Sequence, residues 1–181
     1  MLPAHGKWGS ERGWGYCSVN KWAIGFAQKV EANRARADDT AMNSLKLVCA
    51  SFDGSAKEHV VSVEGHWGDW GDFVYCPGDS GNFLSGAEFK IEKPQGAGIG
   101  AQDDTAANDV RFNCSKSTTT LTATNGEKWG TWRGMVTCPI NAAICGFSLI
   151  WEDNQHGLDD TAANGAKFQC CWISMLILSD L

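Results

Sequence analysis

Three glutamates recur at matching places in the sequence, and their carboxyl groups could act as acids, bases or hydrogen-bond acceptors. They are Glu31, Glu92 and Glu152, and each lies six residues after a glycine. Cleavage or transfer of a glycosidic bond needs two carboxyl groups about 5 to 10 Å apart with different pKa values. The three glutamates are therefore the candidate catalytic residues of one hypothesis, in which they converge on a cleft.

A plainer interpretation of the same glutamates is structural. The basic residues Lys46, Arg111 and Lys167 recur at one place on a second predicted strand of each repeat. Opposite charges on neighbouring strands stabilise a sheet modestly. Cross-strand ion pairs with these bases would account for the glutamates without any catalysis.

The phrase Asp-Asp-Thr-Ala-x-Asn occurs three times, at residues 38–43, 103–108 and 159–164. Such recurrence indicates a repeat architecture. Aspartate and threonine side chains hydrogen-bond to the backbone of turns, and asparagine tolerates positive φ, so the phrase is typical of one turn made three times. Calcium is a weaker alternative, because the phrase lacks the spaced series of oxygen ligands that this ion takes. We expect no metal site.

Each repeat also begins with a Trp-Gly corner, and the sequence contains nine tryptophans in all. In the first repeat the corner reads as stretched, with its second Trp-Gly pair delayed to Trp14. Most of the tryptophans are expected to pack in corners or in the core, but flat aromatic faces beside carboxylates also suit a sugar. The candidate carbohydrate-binding residues are Trp67, Trp70, Trp129, Trp132, Asp103, Asp104, Asp159 and Asp160.

β-Strands must position these residues. Period-two alternation of apolar side chains predicts a strand from glycine to glutamate in each repeat, at 25–31, 86–92 and 146–152. A second strand runs from each acidic phrase into a cysteine. β-Branched stretches at 57–63 and 118–124 predict a further strand before the second and third corners. Because no sustained helical period is present, we predict an all-β fold.

No such strand precedes the first corner, and the apolar tail is predicted to fill its place. The tail begins at Trp172 and is predicted to be a strand, so its removal should lower stability. It is far shorter than the roughly 20 residues that span a bilayer, and we expect no membrane anchor.

Eight cysteines at repeating spacings indicate disulfides formed in an oxidising compartment. Zinc is less favoured because the sequence has no Cys-x-x-Cys pair. The net charge of −6 offers no basic surface for a phosphate backbone, which argues against nucleic acid. No cofactor is expected, since the glycines at 96–100 are not followed by a helix pattern. The first six residues lack the apolar run of a signal peptide, so the sequence reads as a mature chain or an incomplete gene product.

Taken together, the corner, the glycine-to-glutamate strand, the acidic phrase and the late cysteine, in three copies from about Trp8 to Cys171, resemble the vitelline membrane outer layer protein 1 family. The resemblance implies a β-prism of three antiparallel sheets around a pseudo-threefold axis, with one Greek-key unit per repeat and disulfide staples. It implies a secreted protein of an egg coat or another extracellular secretion. It also implies binding or processing of N-acetylglucosamine oligosaccharides, with oligosaccharides or glycoprotein coat components as partners.

The domain prediction is a single unit over residues 1–181. Its repeats cover approximately 7–56, 57–115 and 116–171, followed by the tail 172–181. Spacing suggests four disulfides, although it leaves other connectivities open. The suggested pairs are Cys17–Cys49, Cys76–Cys114, Cys138–Cys170 and Cys145–Cys171.

Three functions follow from these residues as hypotheses. The first is a secreted structural protein that binds carbohydrate. The second is a glycosyltransferase or hydrolase acting on chito-oligosaccharides. The third is a structural coat protein without a ligand. The first and third hypotheses differ in whether the corner tryptophans are exposed together at one end of the molecule, and the second requires that chito-oligosaccharides change in length on incubation with the protein.

Overall fold

The computed structural model describes residues 1–32, 41–92, 107–153 and 162–173, and the regular elements in these ranges are all β-strands. In chain order they are β1 (Ser10–Glu11), β2 (Gly15–Tyr16), β3 (Trp22–Val30), β4 (Met42–Ala50), β5 (Glu58–Glu64), β6 (Asp69–Trp70), β7 (Val74–Tyr75), β8 (Leu84–Ile91), β9 (Ala107–Cys114), β10 (Thr120–Thr122), β11 (Thr131–Trp132), β12 (Val136–Thr137), β13 (Ala142–Trp151) and β14 (Ala163–Trp172). The prediction of an all-β fold is confirmed.

The strands form three antiparallel sheets of one plan. Sheet I has the order β5-β4-β3, and both β6 and β7 pair with the remaining edge of β3. Sheet II repeats this plan with β10-β9-β8, β11 and β12, and sheet III pairs β14 with β13, which also carries β1 and β2. The two short strands of each sheet therefore come from the start of the next repeat, and those of sheet III come from the start of the chain. Three sheets closed on one another in this way form a β-prism.

The N-terminal residues run along the outer edge of β14 in sheet III. The main-chain nitrogen of Met1 donates to the carbonyl of Phe168 at 2.6 Å, and Phe168 N donates back to Met1 O at 2.8 Å. Gly6 N donates to Asn164 O at 2.6 Å. In sheet I, β5 and the residue after it make the equivalent bonds to β4.

The sequence analysis predicted that the C-terminal tail would fill this place at the edge of the sheet. Trp172 is instead the last residue of β14, and Ile173 N donates to Asn141 O at 2.9 Å. Residues 174–181 lie outside the described residues. The outer edge of β14 at Phe168 and Asn164 is paired with the N-terminal segment.

Phenylalanines from the inner faces of the three sheets fill one core. Phe26, Phe89, Phe112, Phe147 and Phe168 are all at most 2% exposed. The rings of Phe26 and Phe112 are 4.7 Å apart, and those of Phe112 and Phe168 are 5.5 Å apart. Burial of each such side chain contributes about 1.5–3 kcal/mol. The alternation seen in the sequence thus puts the large apolar residues on the axis of the prism.

Four disulfides tie one end of the prism, here called the disulfide end. The second strands β4, β9 and β14 carry a cysteine close to this end. The bonded pairs are Cys17–Cys49, Cys76–Cys114, Cys138–Cys170 and Cys145–Cys171. These are the pairs that the spacing suggested.

The first Trp-Gly corner is not stretched. Glu11 of β1 takes the register position on β13 that Trp70 of β6 takes on β3, and that Trp132 of β11 takes on β8. Glu11 therefore replaces the second tryptophan of the corner. The sequence interpretation was wrong because Trp14 and the glycine after it repeat the dipeptide at a position without this role.

Candidate functional site

Each Trp-Gly corner closes against the end of the long central strand of one sheet. The corner glycines Gly9, Gly68 and Gly130 all have positive φ, between 78° and 84°. A Cβ atom at Gly9 would lie 2.6 Å from the carbonyl carbon of Trp151, and one at Gly130 would lie 2.6 Å from that of Ile91. Both the φ value and the close approach require glycine. The geometry fixes each indole beside the last residue of a central strand.

The three corners lie at the same end of the prism, here called the corner end. Gly65, which precedes the second corner, packs against the ring of Trp151 at the end of β13. Gly71, in the second corner, packs against the side chain of Asn125, which precedes the third corner. The ends of the three central strands therefore meet, opposite the disulfide end.

Three indole rings are exposed at the corner end. Trp8 is 45% exposed, Trp67 is 57% exposed and Trp129 is 41% exposed. The ammonium groups of Lys7 and Lys128 each lie 4.6 Å from the centre of the adjacent indole. Sequence reasoning named Trp67 and Trp129 but missed Trp8, although the first and third repeats share the phrase Lys-Trp-Gly. The three rings offer flat apolar surfaces with cations beside two of them.

The other two tryptophan candidates lie on the outer faces of the sheets. Trp70 and Trp132 are half-buried. Lys46 Nζ lies 3.9 Å from the ring centre of Trp70, whose Nε1 donates to Glu64 at 3.2 Å. The guanidinium of Arg111 lies 4.2 Å from the ring centre of Trp132. A cation therefore already lies over each of these rings, which leaves them less open to a ligand than the three exposed indoles.

The recurring glutamates lie just beyond the central strands, next to the corners. Glu31 is buried, and Glu92 and Glu152 are half-buried. The main-chain nitrogen of Glu31 donates to Ala41 O at 2.8 Å, and that of Glu152 donates to Ala162 O at 2.8 Å. All three glutamates thus lie at the corner end, as the catalytic hypothesis required, while the main chains of Glu31 and Glu152 extend their sheets.

The predicted ion pairs between these glutamates and the recurring bases are wrong. Lys46 lies five residues along β4 from the partner of Glu31, which is about 17 Å of extended chain. Lys46 instead meets Trp70, Arg111 pairs with Glu88 at 2.6 Å, and Lys167 pairs with Glu11. The bases lie over the outer faces of the sheets and not at the corner end.

The acidic phrase is only partly within the described residues. Asp103, Asp104, Asp159 and Asp160 lie outside them. The asparagines that end the three phrases are buried at the start of β4, β9 and β14, and Asn164 Oδ1 accepts a hydrogen bond from Trp8 N at 3.2 Å.

In the first and third copies of the phrase, the described residue with positive φ is alanine. Ala41 and Ala162 each have a φ of 48°. The expectation that asparagine takes this conformation was wrong, because the asparagine side chain is used inside the sheet. Asn43 Nδ2, for example, donates to Ala41 O at 3.3 Å.

The described residues were compared with the requirements of a metal site and of a membrane-spanning helix. Within residues 1–32, 41–92, 107–153 and 162–173, no three His, Cys, Asp or Glu side chains are grouped so that they could hold a metal ion. The same ranges contain no helix that is long and apolar enough to cross a membrane.

A buried acid that the sequence did not single out lies beside the corner end. Asp109 is 6% exposed, and its Oδ1 accepts hydrogen bonds from Gln28 Nε2 at 2.9 Å and from Val110 N at 2.8 Å. Burial raises the pKa of Asp109, and these two hydrogen bonds oppose the rise. The signal available in the sequence was Gln28, a polar residue on a face that is otherwise apolar.

A cleft of about 670 Å³ lies at the disulfide end. Phe52, Ile140 and Ile173 contribute apolar surface, and Lys116 contributes a charge. Trp172, which ends β14 at this end of the prism, is 67% exposed. An exposed indole at each end allows the two ends to be compared directly.

The fold and the site define a disulfide-stapled β-prism with three exposed tryptophans at one end. The family model of vitelline membrane outer layer protein I (VOMI) matches residues 1–173. The chain therefore belongs to this family, as the repeated phrases indicated.

Two curated relatives share the family name. The human vitelline membrane outer layer protein 1 homolog is 35% identical over 169 residues, which cover 92% of this chain and 79% of the relative. The mouse protein of the same name is 34% identical over 114 residues, which cover 61% of this chain and 54% of the relative.

Two solved structures share the fold at low sequence identity. The agglutinin of Calystegia sepium matches with a TM-score of 0.52 and 14% identity, over 95% of this chain and 99% of that one. A prostate-specific WGA16 glycoprotein lectin matches with a TM-score of 0.54 and 11% identity, over 93% of this chain and 99% of that one. At these identities the likeness shows the β-prism fold alone.

Proposed function

We propose that this protein is a secreted structural component of an extracellular coat and that its corner end binds N-acetylglucosamine oligosaccharides. The observation that carries the proposal is the exposure of Trp8, Trp67 and Trp129 at one end of a rigid prism. The names of the human and mouse relatives refer to the outer layer of the vitelline membrane, and they support the coat role.

The chemistry of the corner end suits a saccharide. A pyranose ring has apolar faces that stack on an indole and a rim of hydroxyl groups that needs polar partners. Here Lys7 and Lys128 lie beside two of the indoles, and the glutamates follow the strands that the corners close against. Three such surfaces on one end would engage several units of a glycan, or several glycans, and so raise avidity.

Secretion is supported by the cysteines. All eight are bonded, and four disulfides in one small domain are typical of proteins that fold in an oxidising compartment. A covalently tied β-prism also suits a coat, because each cross-link restricts the unfolded chain and so stabilises the folded protein.

Catalysis is the second candidate, favoured by the position of Glu31, Glu92 and Glu152 at the corner end. Incubation with chito-oligosaccharides followed by mass spectrometry tests it. New product lengths that disappear in Glu92→Gln and Glu152→Gln would replace the binding proposal by an enzymatic one. Unchanged lengths would leave binding or a purely structural role.

The binding proposal is tested by tryptophan substitution with a control at the other end. We expect calorimetric titration with a chitotetraose to show binding that Trp67→Ala and Trp129→Ala each weaken at least several-fold. Trp172→Ala removes an indole of similar exposure from the disulfide end and should leave the affinity unchanged. Equal affinities for all variants, or no binding by a natively folded protein, would favour a coat protein without this ligand.

A further inference from the structure

Sheets I and II are joined at the corner end by a cluster of polar groups, here called the seam bridge. It consists of Gln28 on β3, Asp109 on β9, and Asn125 and Gly126 before the third corner. Gln28 Nε2 donates to Asp109 Oδ1 at 2.9 Å, and Asn125 Nδ2 donates to the carbonyl oxygen of Gln28 at 3.1 Å. The cluster thus connects one central strand to the segment that leads into the Trp129 corner.

The seam bridge breaks the threefold repetition of the prism. By strand register, the places of Gln28 in the other two sheets are taken by Phe89 and Leu149. The places of Asp109 are taken by Ser44 and Gly165, neither of which can ionise. A titratable contact is therefore built into one of the three sheet junctions.

Two close contacts connect Asp109 to the exposed indoles. The main chain of Gly126 packs directly on the Asp109 carboxyl group, so closely that a Cβ atom there would overlap it. The neighbouring Asn125 packs against Gly71 of the second corner. Movement of the Asn125–Gly126 pair would therefore change the separation of the Trp67 and Trp129 corners.

We propose that Asp109 is a positioning residue of the corner end. The protonated carboxyl group of Asp109 holds the second and third corners together. When this group is ionised, the corners separate and glycan affinity falls. This inference rests on the proposed function for its effect on affinity. Its structural part, the displacement of the Asn125–Gly126 segment, stands without any ligand.

The physical cause is the cost of a buried charge. Ionised Asp109 would keep its two donors but would still lack hydration, because Gly126 packs against the carboxyl group. Admitting water between Gly126 and the carboxylate would remove much of this cost. Ionisation therefore favours an arrangement in which the Asn125–Gly126 segment has moved away.

The charges around Asp109 modify this tendency without reversing it. Lys90 on β8 is its cross-strand partner, and Arg111 follows on β9; both cations favour the ionised form. Arg111 is itself paired with Glu88, and Lys90 Nζ donates to Glu127 O at 3.0 Å. Because desolvation by burial is the larger effect, the pKa of Asp109 is still raised.

Hydrogen exchange measured by mass spectrometry between pH 4 and pH 8 tests the structural part. After correction for the intrinsic rate, we expect the protection of residues 123–130 to fall several-fold as the pH rises. Asp109→Asn should keep the higher protection throughout, since asparagine can accept the same two hydrogen bonds without ionising. Asp79→Asn makes the same change at an exposed site at the disulfide end and should behave like the wild type.

Affinity for chitotriose over the same pH range tests the functional part. The wild type should bind chitotriose several-fold more weakly at pH 8 than at pH 4, and Asp109→Asn should bind it equally at both pH values. If nothing binds at any pH, the proposed function fails, and the exchange data still decide the positioning role.

The same exchange profile in wild type and Asp109→Asn would overturn the proposal. Should that variant not fold, NMR of the wild type gives the same decision. The Asp109 carboxyl and the Gly126 amide should titrate with one midpoint, and a Gly126 amide that does not respond would count against the link.

Discussion

Glu11 of β1 forms an ion pair with Lys167 of β14 on the outer face of sheet III, at the position where Lys46 lies over Trp70 in sheet I. The same basic residue of the second strand thus meets a carboxylate in one sheet and an indole in another. Either partner, carboxylate or indole, holds a long basic side chain over the outer face of a sheet.

The first prediction follows from this equivalence. Glu11→Trp should fold with a melting temperature within a few degrees of the wild type, because Lys167 can then lie over the indole. Glu11→Lys should lower the melting temperature, because two ammonium groups would face each other. Scanning calorimetry compares the two, with Glu11→Gln as a neutral control. A Glu11→Lys protein as stable as Glu11→Trp would contradict the equivalence.

The second prediction concerns the N-terminal edge of sheet III. Removal of residues 1–6 would leave the outer edge of β14 without its partner, and unpaired edges lower stability and promote association. We expect a lower melting temperature and more aggregation by light scattering. Leu2→Ser changes an exposed side chain of this segment and should have little effect.

Truncation after Ile173 provides the comparison for that experiment. The structure places the N-terminal segment against Phe168 and Asn164. If loss of residues 174–181 cost more stability than loss of residues 1–6, the tail would be the more important edge, as the sequence first indicated.

The third prediction concerns Gly126. A methyl group there would overlap the Asp109 carboxyl group, so Gly126→Ala should destabilise the protein by about 1–3 kcal/mol, as overpacking commonly does. Gly13 has no neighbour within 4 Å of the corresponding position, and Gly13→Ala should have little effect. Urea unfolding measures both. Equal midpoints would show that the contact between Gly126 and Asp109 is not tight.

The fourth prediction is a pH dependence of stability. Burial raises the pKa of Asp109, so over an interval above the ordinary aspartate pKa the folded protein holds a proton that the unfolded chain has released. The free energy of unfolding must therefore fall as the pH rises through this interval. Asp109→Asn lacks this proton, and the variant should gain stability relative to the wild type until the folded pKa is passed.

Urea unfolding of both proteins in steps of pH measures this difference. It should grow with pH and then become constant. Curves that run parallel over the whole range would show that Asp109 titrates alike in the folded and unfolded states.

Much of the fold could be predicted because each repeat carries its own local pattern. Alternation at Phe26, Phe89 and Phe147 identifies the inner faces, since side chains on a strand point alternately to its two sides. The cysteine spacings suggested three of the disulfides for a related reason, because each repeat brings one early and one late cysteine to the same end of the prism. Cys145 and Cys171 were then left for each other.

The remainder depends on contacts between repeats, which no local pattern records. The pairing of the N-terminal segment was not predicted, because residues 1–6 have few β-forming residues and their partner lies near the far end of the chain. The burial of Asp109 was not predictable from β9 alone, because Gly126, from the start of the third repeat, packs against its carboxyl group. Trp8 was not predicted as a site residue because the Trp-Gly pair at Trp14 was aligned with the second tryptophan of the other corners.

The most direct test of the account is NMR of the indole NH signals during titration with N-acetylglucosamine oligomers. Assignment by single Trp→Phe variants would identify the signals of Trp8, Trp67, Trp129 and Trp172. The account predicts saturable shifts for the first three and no shift for Trp172. Shifts confined to Trp172, or none at all in a folded protein, would contradict carbohydrate binding at the corner end.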